Sequence, residues 1–218
     1  MTDLIILLSV CLAAVLLTSL PRCKKYAVSY WKAGVLGLFT MALGLFGTFI
    51  LYFIENGVWG GMSFFGGVLF TPLLMLPVAY LCKVRRRDML DLITMPGLAM
   101  FCIYKFNCYL SGCCRGMILG HAEGKPIVFP SQIVESASAL LILLILLLVE
   151  RKRRPEGRLW PLALILYGTV RFGLNWLRRD QVPFVWVLPA GAFWALVSIA
   201  VGIVWICLLH KRSITPVD

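Results

Sequence analysis

Between Lys105 and Glu135 the chain reads KFNCYLSGCCRGMILGHAEGKPIVFPSQIVE, and nearly everything around it is hydrocarbon. This stretch holds three of the eight cysteines, one of the two histidines, three basic residues, two carboxylates, Asn107 and Gln132. Ionisable and amide groups in or beside a bilayer carry a desolvation cost, so they line a cavity or pair with one another. Gln132, Glu135 and Ser136 fall at i, i+3 and i+4, on one face of a helix opened by Pro130. Glu135 then sits about 7 Å below the entry point, where a carboxyl must pair with a cation or stay protonated. Further on, Arg171, Asn175 and Arg178 are spaced i, i+4 and i+7 and form a second stripe. Arg171 lies about 18 Å from the end at which its helix enters, too deep for easy snorkelling, and Glu135 is its nearest partner in depth. Two readings follow. A guanidinium fork faces a phosphate or a developing oxyanion, or a buried Arg–Glu pair locks two helices.

The elements that position these residues are membrane spans. The chain is 61% hydrophobic and 14% charged, with a mean hydropathy of +0.90, far from soluble globular usage. Seven segments approach the roughly 20 apolar residues a helical span needs: about 3–20, 33–54, 58–81, 89–112, 130–149, 159–177 and 187–209. Strand alternation is absent, which disfavours a transmembrane barrel. The expectation is an all-α integral membrane protein, one polytopic domain over 1–218 with seven transmembrane helices. Fifteen of the 21 basic residues cluster at Arg22, Lys24, Lys25 and Lys32, at Lys83 and Arg85 to Arg87, at Arg151 to Arg154 with Arg158, and at Lys211 and Arg212. These fall in every second loop, so the positive-inside rule puts the N-terminus outside and the C-terminus in the cytoplasm. Anionic headgroups then account for the net charge of +11, and no nucleic acid is needed.

Lys105, Arg115, Lys125, Arg171, Arg178 and Arg179 map to the outer loops or outer halves of spans, against that rule. An anionic ligand such as a phospholipid headgroup, or internal carboxylates, would hold them there. Lys105, near the interface, can also snorkel. The first span carries Asp3, no basic leader and Pro21–Arg22 where a cleavage site needs small residues. It is expected to stay as a mature helix. Cys11, Cys82, Cys102 and Cys207 read as small core residues. Cys108, Cys113 and Cys114, near Lys105 and Arg115, are open to several readings: a covalent carrier, a disulfide between Cys108 and Cys113, a metal site with His121, or simple packing. Their spacing matches no standard zinc pattern.

Taken in order, four segments resemble the prolipoprotein diacylglyceryl transferase family of bacterial inner membranes. GGMSFFGG (60–67) is similar to that family's GGMSFHGG, and KFNCYLSGCCRG (105–116) to its R-I-G-N-F-I-N-G-E-x-x-G. FPSQIVE (129–135) is similar to H-P-S-Q-L-Y-E, and YGTVRFGLNWLRRD (167–180) to Y-G-x-x-R-F-x-x-E-x-x-R. The resemblance covers roughly residues 30 to 209. It implies a multi-pass enzyme of the bacterial plasma membrane that moves the diacylglyceryl group of phosphatidylglycerol, or another anionic phospholipid, onto the lipobox cysteine of a secreted preprotein. Catalysis would rest on Arg171, Glu135, Lys105, Cys108 and Cys113. Substrate binding would rest on Gln132, Ser131, Arg178, Asn175, Gly61 and Ser111. No cofactor and no resident metal are expected.

The sequence departs from the family at positions that carry protons. Phe65 stands where the family has histidine, Lys105 where it has arginine, Cys108 and Ser111 where it has asparagines, and Cys113 and Asn175 where it has glutamates. Phe65 cannot move a proton, and a lysine does not replace a bidentate arginine. The proton then falls to Glu135, Lys105 or a thiolate among Cys108, Cys113 and Cys114. Two other functions fit the same residues: a lipid-binding family member with altered catalysis, and a membrane thiol-redox protein using those three cysteines.

Overall fold

The computed structural model describes residues 2–122, 124–152, 155–179 and 183–214. Helices α1 (Thr2–Ser19), α2 (Cys23–Tyr26), α3 (Tyr30–Asn56), α4 (Phe64–Leu74), α5 (Leu76–Leu81), α6 (Arg86–Leu110), α7 (Ser131–Lys152), α8 (Leu159–Asn175) and α9 (Ala190–Ile214) form an all-α membrane bundle. A short 3-10 turn, Leu20–Arg22, joins α1 to α2. Two small antiparallel hairpins lie between helices: β1 (Ile118–Ala122) with β2 (Lys125–Val128), and β3 (Pro183–Val185) with β4 (Leu188–Pro189). Among the described residues six helical stretches are long and apolar enough to cross a membrane: Ile5–Tyr26, Tyr30–Asn56, Phe64–Leu81, Arg86–Leu110, Ser131–Lys152 and Ala190–Lys211. The remaining expected span, 159–177, is α8, a helix of 17 residues.

The stretch expected at 58–81 begins as helix only at Phe64 and breaks at Met75. Pro77 explains the break, because its ring clashes with the carbonyl four residues back and it has no N–H to donate. Gly57, at φ 71°, ends α3 in the left-handed region. Helices α3 and α4 then cross in near-backbone contact. A Cβ on Gly66 would lie 2.1 Å from the Gly47 carbonyl oxygen, the small-residue packing that lets membrane helices touch.

Helix α6 is the hub, in contact with α1, α3, α7 and α8, and is buried at Asp88 to Pro96, Leu98, Ala99, Phe101, Lys105 and Cys108. Toward its N-terminal, basic end it carries a buried polar node. Arg22 donates from Nε to both Glu150 carboxylate oxygens at 2.9 Å, from Nη1 to the Leu92 carbonyl at 3.0 Å and from Nη2 to the Asp91 carbonyl at 2.5 Å. Tyr26 donates to Glu150 at 2.6 Å, and Lys25 donates to the Glu150 carbonyl. The Asp91 carboxylate accepts from the Gly157 and Leu159 amides at 2.7 and 3.1 Å and so caps the start of α8. Pro96 supplies the reason for one of these bonds. It cannot donate to Leu92, and the guanidinium of Arg22 takes up the carbonyl thus freed.

Candidate active site

At the opposite, hairpin end the site is assembled from α6, α7 and the C-terminal end of α8. The first turn of α7 holds the loop that leaves α6: Ser131 donates from its hydroxyl to the Cys114 carbonyl at 2.8 Å, and the Gln132 amide donates to the Cys113 carbonyl. The same loop is strapped to the chain leaving α8. The Gly116 amide donates to Phe129, Met117 donates to Leu177 at 2.9 Å, and Gly116 bridges Arg178. A Cβ on Gly116 would meet the Phe129 carbonyl at 2.4 Å, so the approach requires glycine. Arg178 lies beyond the helix, which ends at Asn175, rather than one turn further along it. The strap, not helical periodicity, turns it toward Glu135.

Glu135 is fully buried and faces three cations. Lys105 Nζ lies 2.5 Å from Oε2, Arg178 Nη1 3.0 Å from Oε1, and Arg171 Nη1 3.6 Å from Oε1. The expected Glu135–Arg171 pairing is present and is the longest of the three. Lys105 does not snorkel to the interface. It is 6% exposed, with its ammonium 5.6 Å from the centre of the Phe101 ring as well as on Glu135. Arg171 Nη1 and the hydroxyl of buried Tyr167 have no hydrogen-bond partner among the described residues. Three cations on one carboxylate leave an excess of positive charge in a region where uncompensated charge is costly. Asn175 is buried beside Arg171, where both side chains pack against Gly191 at the start of α9. A cleft of about 430 Å³ opens next to Arg178, lined by Met117, Ile118, Trp176 and Arg179 as well.

The remaining site residues divide. Phe65 is buried in a ring cluster with Phe64, Phe101 and Tyr167, whose centroids lie 6.0 Å (Phe65–Tyr167) and 5.0 Å (Phe101–Tyr167) apart. The histidine position of the family pattern is therefore apolar and packed against Phe64 and Tyr167. Gly61 faces the Tyr52 ring, 2.2 Å from where its Cβ would stand, and Ser111 is exposed at the end of α6. His121 is exposed on β1. Gly191, the Phe101 ring, Tyr167 and the Gly116 strap are members that the sequence reading does not single out. Of these, Tyr167 and Gly116 carry a local signal, since Tyr167 opens the YGTVRFGLN segment and Gly116 closes KFNCYLSGCCRG.

Although the spacing Cys108-x4-Cys113-Cys114 predicts no metal site, the chain turns back on itself after α6 and brings the three Sγ atoms within 4.8 Å of one another. All three are free thiols, so no Cys108–Cys113 bridge is present. Cys114 sits at φ 55°, a conformation non-glycine residues seldom adopt, and is fixed there by the Ser131 bond to its carbonyl. A hydrogen bond from Cys108, together with the charges of Lys105 and Arg178, holds the Cys114 thiol below the ordinary thiol range. Arg178 thus serves both Glu135 and Cys114.

The sequence pattern of the prolipoprotein diacylglyceryl transferase family matches residues 4–208. This chain belongs to that family. Over 137 residues it is 30% identical to a phosphatidylglycerol–prolipoprotein diacylglyceryl transferase of Clostridium tetani, an alignment covering 56% of this chain and 55% of the relative. Over 143 residues it is 33% identical to a protein of the same name from Teredinibacter turnerae, covering 59% and 50%. The chain spans about half the length of these curated relatives.

Proposed function

We propose that this chain transfers the diacylglyceryl group of phosphatidylglycerol to a cysteine thiol of a secreted prolipoprotein. The reaction takes place in the outer leaflet of a bacterial plasma membrane, with seven spans and the N-terminus outside. The observation that carries this reading is the cluster of Lys105, Arg171 and Arg178 on the single carboxylate of Glu135. Phosphatidylglycerol brings one negative charge on its phosphodiester. In the transfer a thiolate attacks the glyceryl carbon, the C–S bond forms, and the C–O bond breaks with its electron pair on the departing glycerol phosphate. That leaving group gains a second negative charge as the bond breaks. Fixed cations that match the developing charge stabilise the transition state more than the bound lipid. Arg171, whose Nη1 makes no hydrogen bond among the described residues, is assigned to the phosphate. Glu135 orients the cations, and Gln132 and Ser131 hold the loop that frames the cleft.

The test is to incubate the full-length chain with phosphatidylglycerol labelled in its diacylglyceryl part and a lipobox peptide, and to look for the thioether by mass spectrometry. The peptide with serine in place of cysteine should give none. Phe65 and its ring cluster favour a second reading, a member that binds anionic lipid without transferring it. Lipid binding that depends on Arg171 but yields no thioether would decide for that second reading.

A further inference from the structure

Three sulfurs converge beside the cation cluster on Glu135, at positions where the family pattern has none. We infer that Cys108, Cys113 and Cys114 form a three-thiolate zinc site whose fourth position takes the acceptor cysteine. Metal coordination, not a histidine, then generates the attacking thiolate. This inference rests on the transferase reading above.

The geometry supports it at three points. With Zn–S bonds of about 2.3 Å, tetrahedral ligands stand roughly 3.8 Å apart, so sulfurs already within 4.8 Å need only a small contraction. The tripod is also held in place before any ion arrives. Cys108 is on the last turns of α6, the Cys113 Sγ donates to the Cys108 carbonyl at 3.5 Å, and the Cys113 and Cys114 carbonyls are bound by Gln132 and Ser131. Finally, three thiolates and one Zn²⁺ carry a net negative charge, and Lys105 and Arg178 stand beside Cys114 to offset it. Soft thiolate donors select zinc or another thiophilic ion over magnesium or calcium. Among the described residues the group supplies three ligands, the number used by zinc sites that keep a position for substrate.

The same arrangement answers the question left by Phe65. A thiol that coordinates zinc is deprotonated. The incoming thiol gives its proton to a hydroxide on the ion, which leaves as water. The bound sulfur then attacks the glyceryl carbon, its electron pair forming the C–S bond, while the C–O bond breaks toward glycerol phosphate. The product is a neutral thioether and a weak ligand. It leaves the ion, and water returns and releases a proton. No oxidant or reductant takes part.

The experiment uses the full-length chain, reduced and stripped of metal in detergent. Zinc should bind at one ion per chain, and cobalt in its place should show thiolate-to-cobalt absorption bands in the near ultraviolet. C108S, C113S and C114S combined should abolish both. C113A alone, at an exposed position, should weaken binding at least about 100-fold, the upper end of what even outer-sphere changes cost a metal site. A lipobox peptide should strengthen the cobalt bands, and its serine analogue should not. Chelation should stop thioether formation and zinc should restore it. Reduced protein that binds neither ion, or transfer that continues undiminished under chelation, overturns the zinc inference and leaves the transferase reading standing. Conversely, metal and peptide bound as described without any thioether product would overturn the transferase reading and the activation step together, leaving only the metal site.

Discussion

Among the described residues the bundle holds two buried charge clusters, one at each end of α6, and they are built on opposite plans. At the basic end Arg22 pairs with the Glu150 carboxylate while the Asp91 carboxylate takes two backbone amides, and the Arg22 nitrogens, the Glu150 carboxylate and both Asp91 oxygens have partners at hydrogen-bond distance. At the hairpin end Lys105, Arg171 and Arg178 share Glu135 as ion pairs, while Arg171 Nη1 and the Tyr167 hydroxyl make no hydrogen bond among the described residues. A network with its hydrogen bonds saturated fixes geometry. One with surplus cations and unused donors keeps binding capacity in reserve, which is expected of a site for an anion. Burial does not separate them, since Asp91 and Glu135 are equally inaccessible. What separates lock from site is the accounting of partners.

Four measurements would break or sharpen that contrast. The largest effect is expected from Glu150→Ala, which strands Arg22 in the interior. Stability should fall by about 3–5 kcal/mol in thermal or denaturant unfolding in micelles, with transfer per folded molecule unchanged. Arg171→Ala should do the reverse. Thioether formation should drop by about 10²–10³-fold, as when one transition-state donor is removed, and the unfolding midpoint should hardly move. If Arg171→Ala unfolds the protein as readily as Glu150→Ala does, the hairpin-end cluster is a second lock. Asp91→Asn should cost about 1–2 kcal/mol, because one amide of the α8 cap then faces an NH₂ group. This should register in unfolding and leave transfer intact. The smallest effect is chemical. In metal-free protein Cys114 should react with iodoacetamide at pH values below the ordinary thiol range, and Arg178→Ala should move that profile upward by removing one of the cations that favour thiolate. An unchanged profile would detach Arg178 from the cysteine cluster.

How far these clusters can be read from sequence follows from what each depends on. Six of the expected spans follow from hydropathy alone, and the Glu135–Arg171 pairing from depth, because rise per residue converts position to height in a membrane. Lys105 reads as an interfacial lysine because sequence gives its height but not whether its face meets lipid or α7. Arg178 lies past the helix end, where periodicity stops applying, and only the Gly116 strap determines its direction. The basic-end lock is the least visible. Arg22 and Glu150 each sit at a span end where interfacial charge is the ordinary expectation, and their pairing joins residues 128 positions apart. Pro96 was the available clue, since a proline inside a helix leaves a carbonyl that something must satisfy. The three-sulfur cluster is hidden for a similar reason. Spacing rules for metal ligands assume a regular loop, and here a left-handed residue at Cys114 closes the distance.

The bond from Arg22 to the carbonyl released by Pro96 also bears on how the chain is assembled. Its ligands arrive late: the Asp91 and Leu92 carbonyls on α6 and the Glu150 carboxylate at the far end of α7. During synthesis the Arg22 guanidinium therefore lacks its carboxylate partner until Glu150, at the far end of α7, has been made. The tie between the N-terminal turn and α7 is thus completed only by a residue made more than a hundred positions later.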